Sequence, residues 1–171
     1  MNSPPTPHHA SARTGDGGKT GPVVALPPGS HGQVAALLQH YAAREILLWR
    51  TPEDILAHAQ DFLVTEDDNG ITGCVALHDY GSGLYEIRSL AVTPAQTGRG
   101  LGGALVGGCI DRARARGGNE VFALTRQVDF FVHLGFRQVD RERFPDKVWR
   151  DCRLCPHRDC CDETAVALTL A

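Results

Sequence analysis

A cluster of glycines around one arginine, TGRGLG at Thr97–Gly102, stands directly before a helical pattern of apolar residues. The first N–H groups of a helix have no partner inside the helix, and they lie at the positive end of its dipole. Such a terminus binds phosphate, and glycines let the backbone approach the anion closely. Arg99 would add a charge-assisted contact. We therefore expect a phosphate-bearing ligand at Gly98, Gly100 and Gly102.

Two other interpretations of these glycines can be compared with the first. They could serve only to let a helix pack closely against a strand. Gly98, Gly100 and Gly103 also satisfy the G-x-G-x-x-G dinucleotide pattern, which needs a strand running into the first glycine and an acidic residue ending the next strand. Here TPAQT intervenes and the next strand ends in ALTRQ, so the dinucleotide interpretation fails.

Four of the six cysteines lie close together, as Cys152, Cys155, Cys160 and Cys161. Thiolates and the nearby His157 are ligands that Zn²⁺ accepts, but the cluster lacks the usual longer separation between ligand pairs. Free or reversibly oxidised thiols are the alternative. We therefore assign no metal site, and zinc binding by this segment stays open.

The elements before the glycines are predicted by periodicity and by capping residues. PVVAL indicates a strand, and HGQVAALLQHYAA a helix with Ser30 as N-cap. RTPEDILAHAQDF indicates a second helix, with Thr51 as N-cap and Pro52 at its first position. Three strand-like runs follow, separated by the turn sequences DDNG and DYGSG, which predicts an antiparallel meander.

The glycine cluster opens a third helix, LGGALVGGCIDRARARGG, which ends at Gly117 and Gly118. NEVFAL then indicates a strand, VDFFVHLGF a short helix closed by Gly135, and FRQVD a further strand. The predicted order is strand, two helices, three antiparallel strands, helix, strand, helix, strand.

Length and composition predict one globular domain of an ordinary kind, since the chain has 171 residues and 42% hydrophobic residues. The net charge is −3 and the charges are dispersed, so we expect no nucleic-acid interface. No run of about 18 apolar residues and no signal-peptide core are present, so we expect a soluble, cytoplasmic protein. Residues 1–21 predict a disordered tail, and residues 22–171 the domain, with a Cys-rich segment at 152–161.

This order of elements, with TGRGLG preceded by SLAVTP and followed by FFVHLGF, resembles the GNAT acyltransferases from about Val23 onward. Thr97 replaces the usual Gln or Arg of their glycine pattern. The resemblance implies an α/β GNAT fold, in which helices flank a mixed, mostly antiparallel twisted sheet. It also implies acetyl-CoA as cosubstrate, with the pyrophosphate at the glycine loop and the pantetheine arm along the preceding strand, where an ordinary buried strand is the alternative. The implied cofactor-binding residues are Leu90, Ala91, Val92, Thr97, Gly98, Arg99, Gly100, Leu101 and Gly102.

The resemblance narrows to the short, single-domain N-acetylglutamate synthases, through ILLWRTPEDI, YEIRSLAV, VFALTRQVDFFVHLGF and FPDKVWRDCRLCP. That family acetylates the α-amine of L-glutamate, whose two carboxylates suit the planar fork of arginine. Arg50 in LLWR matches the family's substrate arginine, and Ser89, Arg88 and Lys147 are further candidates. For the three cationic residues, a solvated surface position is the alternative.

Catalytic roles also come from the resemblance. Glu86 stands where the family places the base that removes the proton from the amine; the alternative is a solvent-facing strand carboxylate. Ser89 shares a sheet face with Glu86 only if a bulge intervenes. Thr125 resembles the hydroxyl donor to the leaving thiolate, since the Phe130-Phe131 pair lacks a phenol, but a threonine there also caps turns.

We therefore predict an acetyl-CoA-dependent N-acetyltransferase that acetylates L-glutamate at the start of arginine biosynthesis, with a homodimer left open. Two alternatives stay open. One is a GNAT enzyme for another small amine, and the other is a non-catalytic acetyl-CoA sensor, for which Thr97 and Phe131 are the supporting departures from the family pattern.

Overall fold

The computed structural model describes residues 21–145 and 161–171. The strands are β1 (Val24–Ala25), β2 (Phe62–Asp67), β3 (Gly70–Gly81), β4 (Leu84–Val92), β5 (Glu120–Thr125), β6 (Arg137–Gln138) and β7 (Thr164–Thr169). The helices are α1 (His31–Ala42), α2 (Pro52–Ala57), α3 (Leu101–Ala115) and α4 (Val128–His133). Strands and helices of this kind and order confirm the predicted α/β class.

One sheet contains all of these strands, in the order β1-β2-β3-β4-β5-β7-β6. Neighbouring strands are antiparallel except β4 and β5, which are parallel because α3 crosses back between them. The parallel pairing joins Leu84–Glu86 only to Glu120–Phe122, so the two strands have no ladder beyond Glu86. This mixed, mostly antiparallel sheet confirms the predicted GNAT fold.

Side chains that alternate along the strands build a core on each face of the sheet. On one face Tyr85 and Ile87 of β4 cluster with Leu105 and Cys109 of α3. The other face carries α1 and α2, whose clustered apolar residues include Val34, Leu38 and Ile55, against Phe62, Val64 and Ala76 of the sheet. The sheet is thus covered on both faces.

The local predictions on caps and turns are mostly confirmed. The Thr51 hydroxyl accepts from the Asp54 N–H at 3.1 Å and begins α2. Ser30 occupies the N-cap position of α1, but within the described residues its side chain makes no capping hydrogen bond. The DYGSG turn is shorter than predicted, because Asp79 and Tyr80 continue β3 up to Gly81.

Strand β7 is missing from the predicted order of elements, which ended with β6. It lies between β5 and β6 and pairs with both of them. Three of its consecutive residues, Ala165, Val166 and Ala167, are buried. A strand covered on both faces lacks the alternation of apolar and polar residues that marks a half-buried strand. The sequence TAVALT therefore gives only a short apolar run.

Several predictions fall on residues outside those that the structure describes. The predicted tail over residues 1–21 does so except for Gly21, as do Lys147, Cys152, Cys155 and Cys160. Within residues 21–145 and 161–171, no helix is long and apolar enough to cross a membrane.

Candidate active site

The divergence of β4 from β5 opens a cleft of about 270 Å³. Of the predicted site residues, Arg88, Ser89, Leu90 and Thr125 line it. Its other walls come from the turn after α1, from Arg126 and Gln127, from α4 and from Glu163 before β7. Glu86, Arg50 and the glycine loop are not among its lining residues. The cleft therefore lies between the C-terminal parts of β4 and β5.

A bulge in β4 shapes this cleft. Ala76 pairs with Arg88 and Cys74 with Ala91, so Ser89 and Leu90 together stand opposite the single residue Val75. Ser89 has a φ of +55°, in the left-handed region that non-glycine residues seldom adopt. The bulge that is needed for Ser89 to share a sheet face with Glu86 is thus present. After the bulge, Leu90 packs against the core cluster on the α3 face of the sheet.

Glu86 is buried, with 1% of its surface exposed. It lies opposite His78 on β3, and the Tyr80 hydroxyl donates to Glu86 Oε2 at 2.9 Å. Since its neighbours Tyr85 and Ile87 face the α3 core, Glu86 lies on the other face of β4. The alternative is a solvent-facing strand carboxylate paired with a neighbour. Its solvent exposure is wrong, whereas a pairing with a neighbour, Tyr80, is observed.

Arg88 shares the sheet face of Glu86, because one residue separates them along the strand. Its Nη2 lies 3.1 Å from His78 Nδ1, which accepts the hydrogen bond because a guanidinium has donors only. His78 Nδ1 also lies 3.8 Å from Asp61 Oδ2. Arg88, His78 and Asp61 thus lie in a row of polar side chains on this face. Arg88 also lines the cleft.

Arg50 precedes α2 and is partly buried, with 17% of its side chain exposed. Its Nη1 donates to Asp54 Oδ2 at 2.9 Å, across one turn of the helix. Partial burial and a carboxylate partner distinguish it from a solvated surface arginine. Its predicted role toward substrate stays a prediction.

The glycine loop has the backbone that an anion site requires. Gly98 and Gly100 have φ values of +81° and +82°. Apart from the adjoining residues, no atom of residues 21–145 and 161–171 lies within 4 Å of the point where a Cβ would stand. Gly100 is the N-cap of α3, and no side chain of the described residues caps it. The first N–H groups of a helix of 15 residues are therefore available to a ligand's phosphates.

The packing interpretation of the glycines applies at Gly102 alone among the three. A Cβ there would stand 3.4 Å from the Phe130 ring, whereas Gly98 and Gly100 have open space. Arg99 is exposed and donates to Gln96 Oε1 at 3.0 Å. The loop therefore fits a pyrophosphate at its first two glycines and packs against α4 at the third.

Thr125 ends β5 and is 8% exposed. Its hydroxyl oxygen accepts from the Gln127 N–H at 2.8 Å, so it caps the turn before α4. A hydroxyl that accepts a hydrogen bond still carries its own proton for donation. The turn-capping alternative is thus observed, and it is compatible with the predicted donor role.

Three features of the candidate site have no counterpart in the sequence predictions. They are Tyr80 beside Glu86, Arg126 at the cleft and the segment before β7. The hairpin register could have revealed Tyr80, because His78 and Tyr80 alternate onto the face of Glu86. Of the four clustered cysteines, for which zinc binding stays open, only Cys161 is described, and it is partly buried. Within residues 21–145 and 161–171, no group of three or more His, Cys, Asp or Glu could hold a metal ion.

Comparison with known proteins places this geometry in a family. An uncharacterized N-acetyltransferase of Chlorobaculum tepidum is 39% identical over 137 residues, which cover 80% of this chain and 88% of that protein. An amino-acid acetyltransferase of Mycobacterium tuberculosis is 36% identical over 110 residues, 63% of each chain. This chain therefore spans less than two thirds of that enzyme.

Solved structures of acetyltransferases are also similar to this chain. The N-acetylglutamate synthase of Neisseria gonorrhoeae, complexed with coenzyme A and N-acetyl-glutamate, superposes with a TM-score of 0.78 at 27% identity. The match covers 87% of this chain and 35% of that one. A family model for the acetyltransferase (GNAT) family matches residues 33–136. The chain belongs to the GNAT acetyltransferase family, and the predicted acetyl-CoA cosubstrate is confirmed at the level of that family.

Proposed function

We propose that this acetyltransferase transfers the acetyl group of acetyl-CoA to the α-amine of L-glutamate. The observation that carries the proposal is the pair of charged groups on one face of β4, the buried carboxylate of Glu86 and, at the cleft, the guanidinium of Arg88. An amino-acid acceptor needs both, a base for its amine and a cation for its carboxylate. The similarity to the N-acetylglutamate synthase of Neisseria gonorrhoeae supports the choice of glutamate.

The cosubstrate follows the path from the glycine loop to the cleft. The pyrophosphate accepts hydrogen bonds from the first N–H groups of α3, where Gly98 and Gly100 permit close approach. The pantetheine arm extends along Leu90, Ala91 and Val92, in the region where β4 and β5 share no ladder. The thioester then lies beside Ser89 and Thr125, which both line the cleft.

The chemical step requires a neutral amine. Glu86 removes a proton from the ammonium group, directly or through one water, and general base catalysis of this kind contributes a factor of about 10²–10⁴. The amine nitrogen attacks the thioester carbonyl, and a C–N bond forms as the C–S bond breaks. The nitrogen then loses its second proton, which passes through the Thr125 hydroxyl to the departing thiolate, and Glu86 releases the first proton to solvent. The products are N-acetylglutamate, coenzyme A and one proton.

The acceptor's carboxylates require cations, and Arg50, Arg88 and Lys147 are the proposed partners. Arg50 is held by Asp54 and partly buried, a setting in which a charged hydrogen bond to a substrate is worth more than in water. The product would place the reaction at the start of arginine biosynthesis in the cytoplasm. This placement depends entirely on the glutamate assignment.

A second candidate acceptor is a small amine without a second carboxylate. The observation that favours it is the cleft lining, which includes the apolar Ile46 and Leu47 and the acidic Glu163. An acidic side chain repels a carboxylate and attracts a cation, so a diamine or an apolar amine would also fit this wall.

The test is release of free thiol from acetyl-CoA in the presence of single acceptors. L-Glutamate should be preferred over L-glutamine and L-aspartate by about 10²-fold or more in kcat/KM, because a site built for two spaced carboxylates leaves buried cations unpaired with either analogue. D-Glutamate is the matched control for the position of the amine. Preference for a diamine or an apolar amine would establish the second candidate, and binding of acetyl-CoA without turnover of any acceptor would establish the sensor alternative.

A further inference from the structure

The turn between α1 and α2 forms one wall of the cleft, through Ile46 and Leu47. Its conformation depends on Glu45, which has a φ of +57°. The Glu45 N–H donates to Ala42 O at 2.9 Å and the Ile46 N–H donates to Tyr41 O at 3.1 Å. These bonds end a helix on a left-handed residue, a position that favours glycine because a Cβ there approaches the following carbonyl oxygen. The turn thus adopts a conformation that a glutamate disfavours.

Arg126 contacts this turn from the opposite side of the cleft. Its Nη1 donates to the Glu45 carbonyl oxygen at 3.1 Å, and its Nε donates to Asp162 Oδ1 at 2.7 Å. Asp162 lies just before β7, and Glu45 follows α1, so one guanidinium connects segments that are far apart in the sequence. Because a guanidinium is planar, the Asp162 carboxylate fixes the direction in which Nη1 points.

We infer that Arg126 is a positioning residue for the acceptor side of the site. It stabilises the left-handed conformation of Glu45 and thereby fixes the wall formed by Ile46 and Leu47. The kinetic consequence rests on the proposed acetyl transfer, whereas the structural consequence does not. Arg126 itself also lines the cleft, so direct contact with an acceptor carboxylate is the competing role that the experiment must separate.

The first measurement is hydrogen exchange of backbone amides in the full chain. Both contacts of Arg126 are solvent-exposed, so Arg126→Ala should make the Ile46 amide exchange about two- to fivefold faster, the size expected for loss of an exposed charged contact. Arg126→Lys should behave in the same way, because a lysine cannot reach both oxygens with a planar fork. The Ala104 amide, which donates to Gly100 O in α3, is the internal control and should not change. Unchanged exchange at Ile46 would overturn the inference.

The second measurement is steady-state kinetics with and without Glu45→Gly. Arg126→Ala should raise the KM for the acceptor about two- to fivefold and leave the KM for acetyl-CoA unchanged. Glycine adopts the left-handed conformation without cost, so the double variant Arg126→Ala, Glu45→Gly should recover both the slow exchange of Ile46 and the acceptor KM.

Recovery of slow exchange without recovery of the acceptor KM would show that Arg126 binds the acceptor itself, and it would overturn the positioning role. Glu45→Gly alone should leave both KM values unchanged. If the unmodified chain acetylates no acceptor, the proposed function fails, while the exchange measurements still decide whether Arg126 fixes the turn.

Discussion

Glu86 is a buried carboxylate with a fixed hydrogen-bond donor. Only 1% of its surface is exposed, and the Tyr80 hydroxyl donates to its Oε2 at 2.9 Å. The Tyr80 ring in turn contacts His78 edge-on and lies 5.7 Å from Phe122, so the donor is held in place. Such a group can release and accept a proton only if the cleft or a water reaches it.

Glu86→Gln should lower turnover by about 10²–10⁴, because glutamine keeps the shape of the side chain but removes no proton. The measurement is kcat at saturating acetyl-CoA and acceptor over a range of pH. Glu66→Gln is the matched control, since Glu66 is an exposed strand carboxylate on β2, and its kcat should not change. Normal turnover of Glu86→Gln at every pH would leave Glu86 with a structural role only.

Arg50→Ala should weaken acceptor binding by about 2–5 kcal/mol if the side chain holds a substrate carboxylate away from water. The corresponding rise in KM for glutamate is roughly 30-fold to several thousand-fold, with the KM for acetyl-CoA unchanged. A solvated arginine would contribute about 0–1 kcal/mol.

Two control variants make the Arg50 result specific. Arg44→Ala removes an exposed arginine from the same turn and should have no effect on either KM. Asp54→Asn removes the charge of the partner of Arg50 without removing the guanidinium. Because Asp54 Oδ1 also lies 3.3 Å from His58 Nδ1, this variant measures the contribution of the Asp54 charge to both contacts. A rise of less than about fivefold for Arg50→Ala would exclude it as the substrate arginine.

At the scale of the elements, the site depends on three local departures from regular structure. β4 bulges at Ser89, the strands β4 and β5 separate after Glu86, and α3 begins at a left-handed glycine. Each departure exposes backbone groups that regular structure would have paired. A ligand that carries phosphates and amides can satisfy those groups, which explains why they lie together at one end of the sheet.

Gly100→Ala should raise the KM for acetyl-CoA, and the rise should be larger than the loss of folding stability alone would cause. Alanine in the left-handed region costs about 1–2 kcal/mol and its methyl group would occupy the open space beside the backbone. Gly29→Ala is a matched control, because Gly29 also has a φ of +82° and, beyond its chain neighbours, no described atom within 4 Å of a Cβ position. Both variants should lose the same stability in thermal unfolding, and only Gly100→Ala should bind acetyl-CoA more weakly. Equal KM values for acetyl-CoA in the two variants would remove the phosphate site from the loop.

At the scale of the whole molecule, the sequence predicted the individual helices and strands better than the long-range contacts between them. Thr51, the DDNG turn and the glycines that end α3 and α4 carry local physical signals, and the structure confirms them. β7 carries none, because a strand buried on both faces shows no alternation. The contact of Arg126 with Glu45 joins residues that local patterns cannot relate. The residues of the glycine loop were therefore predictable, whereas the wall of the cleft opposite β4 was not.

Two fully buried thiols, those of Cys74 and Cys109, make global stability sensitive to alkaline pH. Burial raises the pKa of Cys74 and Cys109 to about 12 from an ordinary value of 9.0. Between those values the folded chain keeps a proton that the unfolded chain has released, so the free energy of unfolding falls as the pH rises, by about 1.4 kcal/mol per pH unit for each thiol. Below the ordinary thiol pKa, the folded and the unfolded chain are both protonated, so the buried thiols then cause no loss in the free energy of unfolding.

Urea unfolding in reducing buffer at about pH 8 and about pH 10 measures this effect. The variant Cys74→Ala, Cys109→Ala should reduce the difference between the two free energies of unfolding by about 2–3 kcal/mol, whatever stability it loses at the lower pH. Cys161→Ala is the comparison variant, because it removes a thiol that is only partly buried. Equal pH dependence in all three proteins would show that the buried thiols do not govern alkaline unfolding.

The position of β7 also limits the order in which the chain can fold. β5 and β6 are close in sequence but are not neighbours in the sheet, and each needs β7 as its partner on that side. Their edges stay unpaired until a strand from much later in the sequence enters between them, and contacts of such long range slow folding. An early folding intermediate would therefore contain the β2–β3–β4 meander with β5 paired to β4. The other edge of β5 would still be unpaired, and we expect aggregation during refolding to begin there.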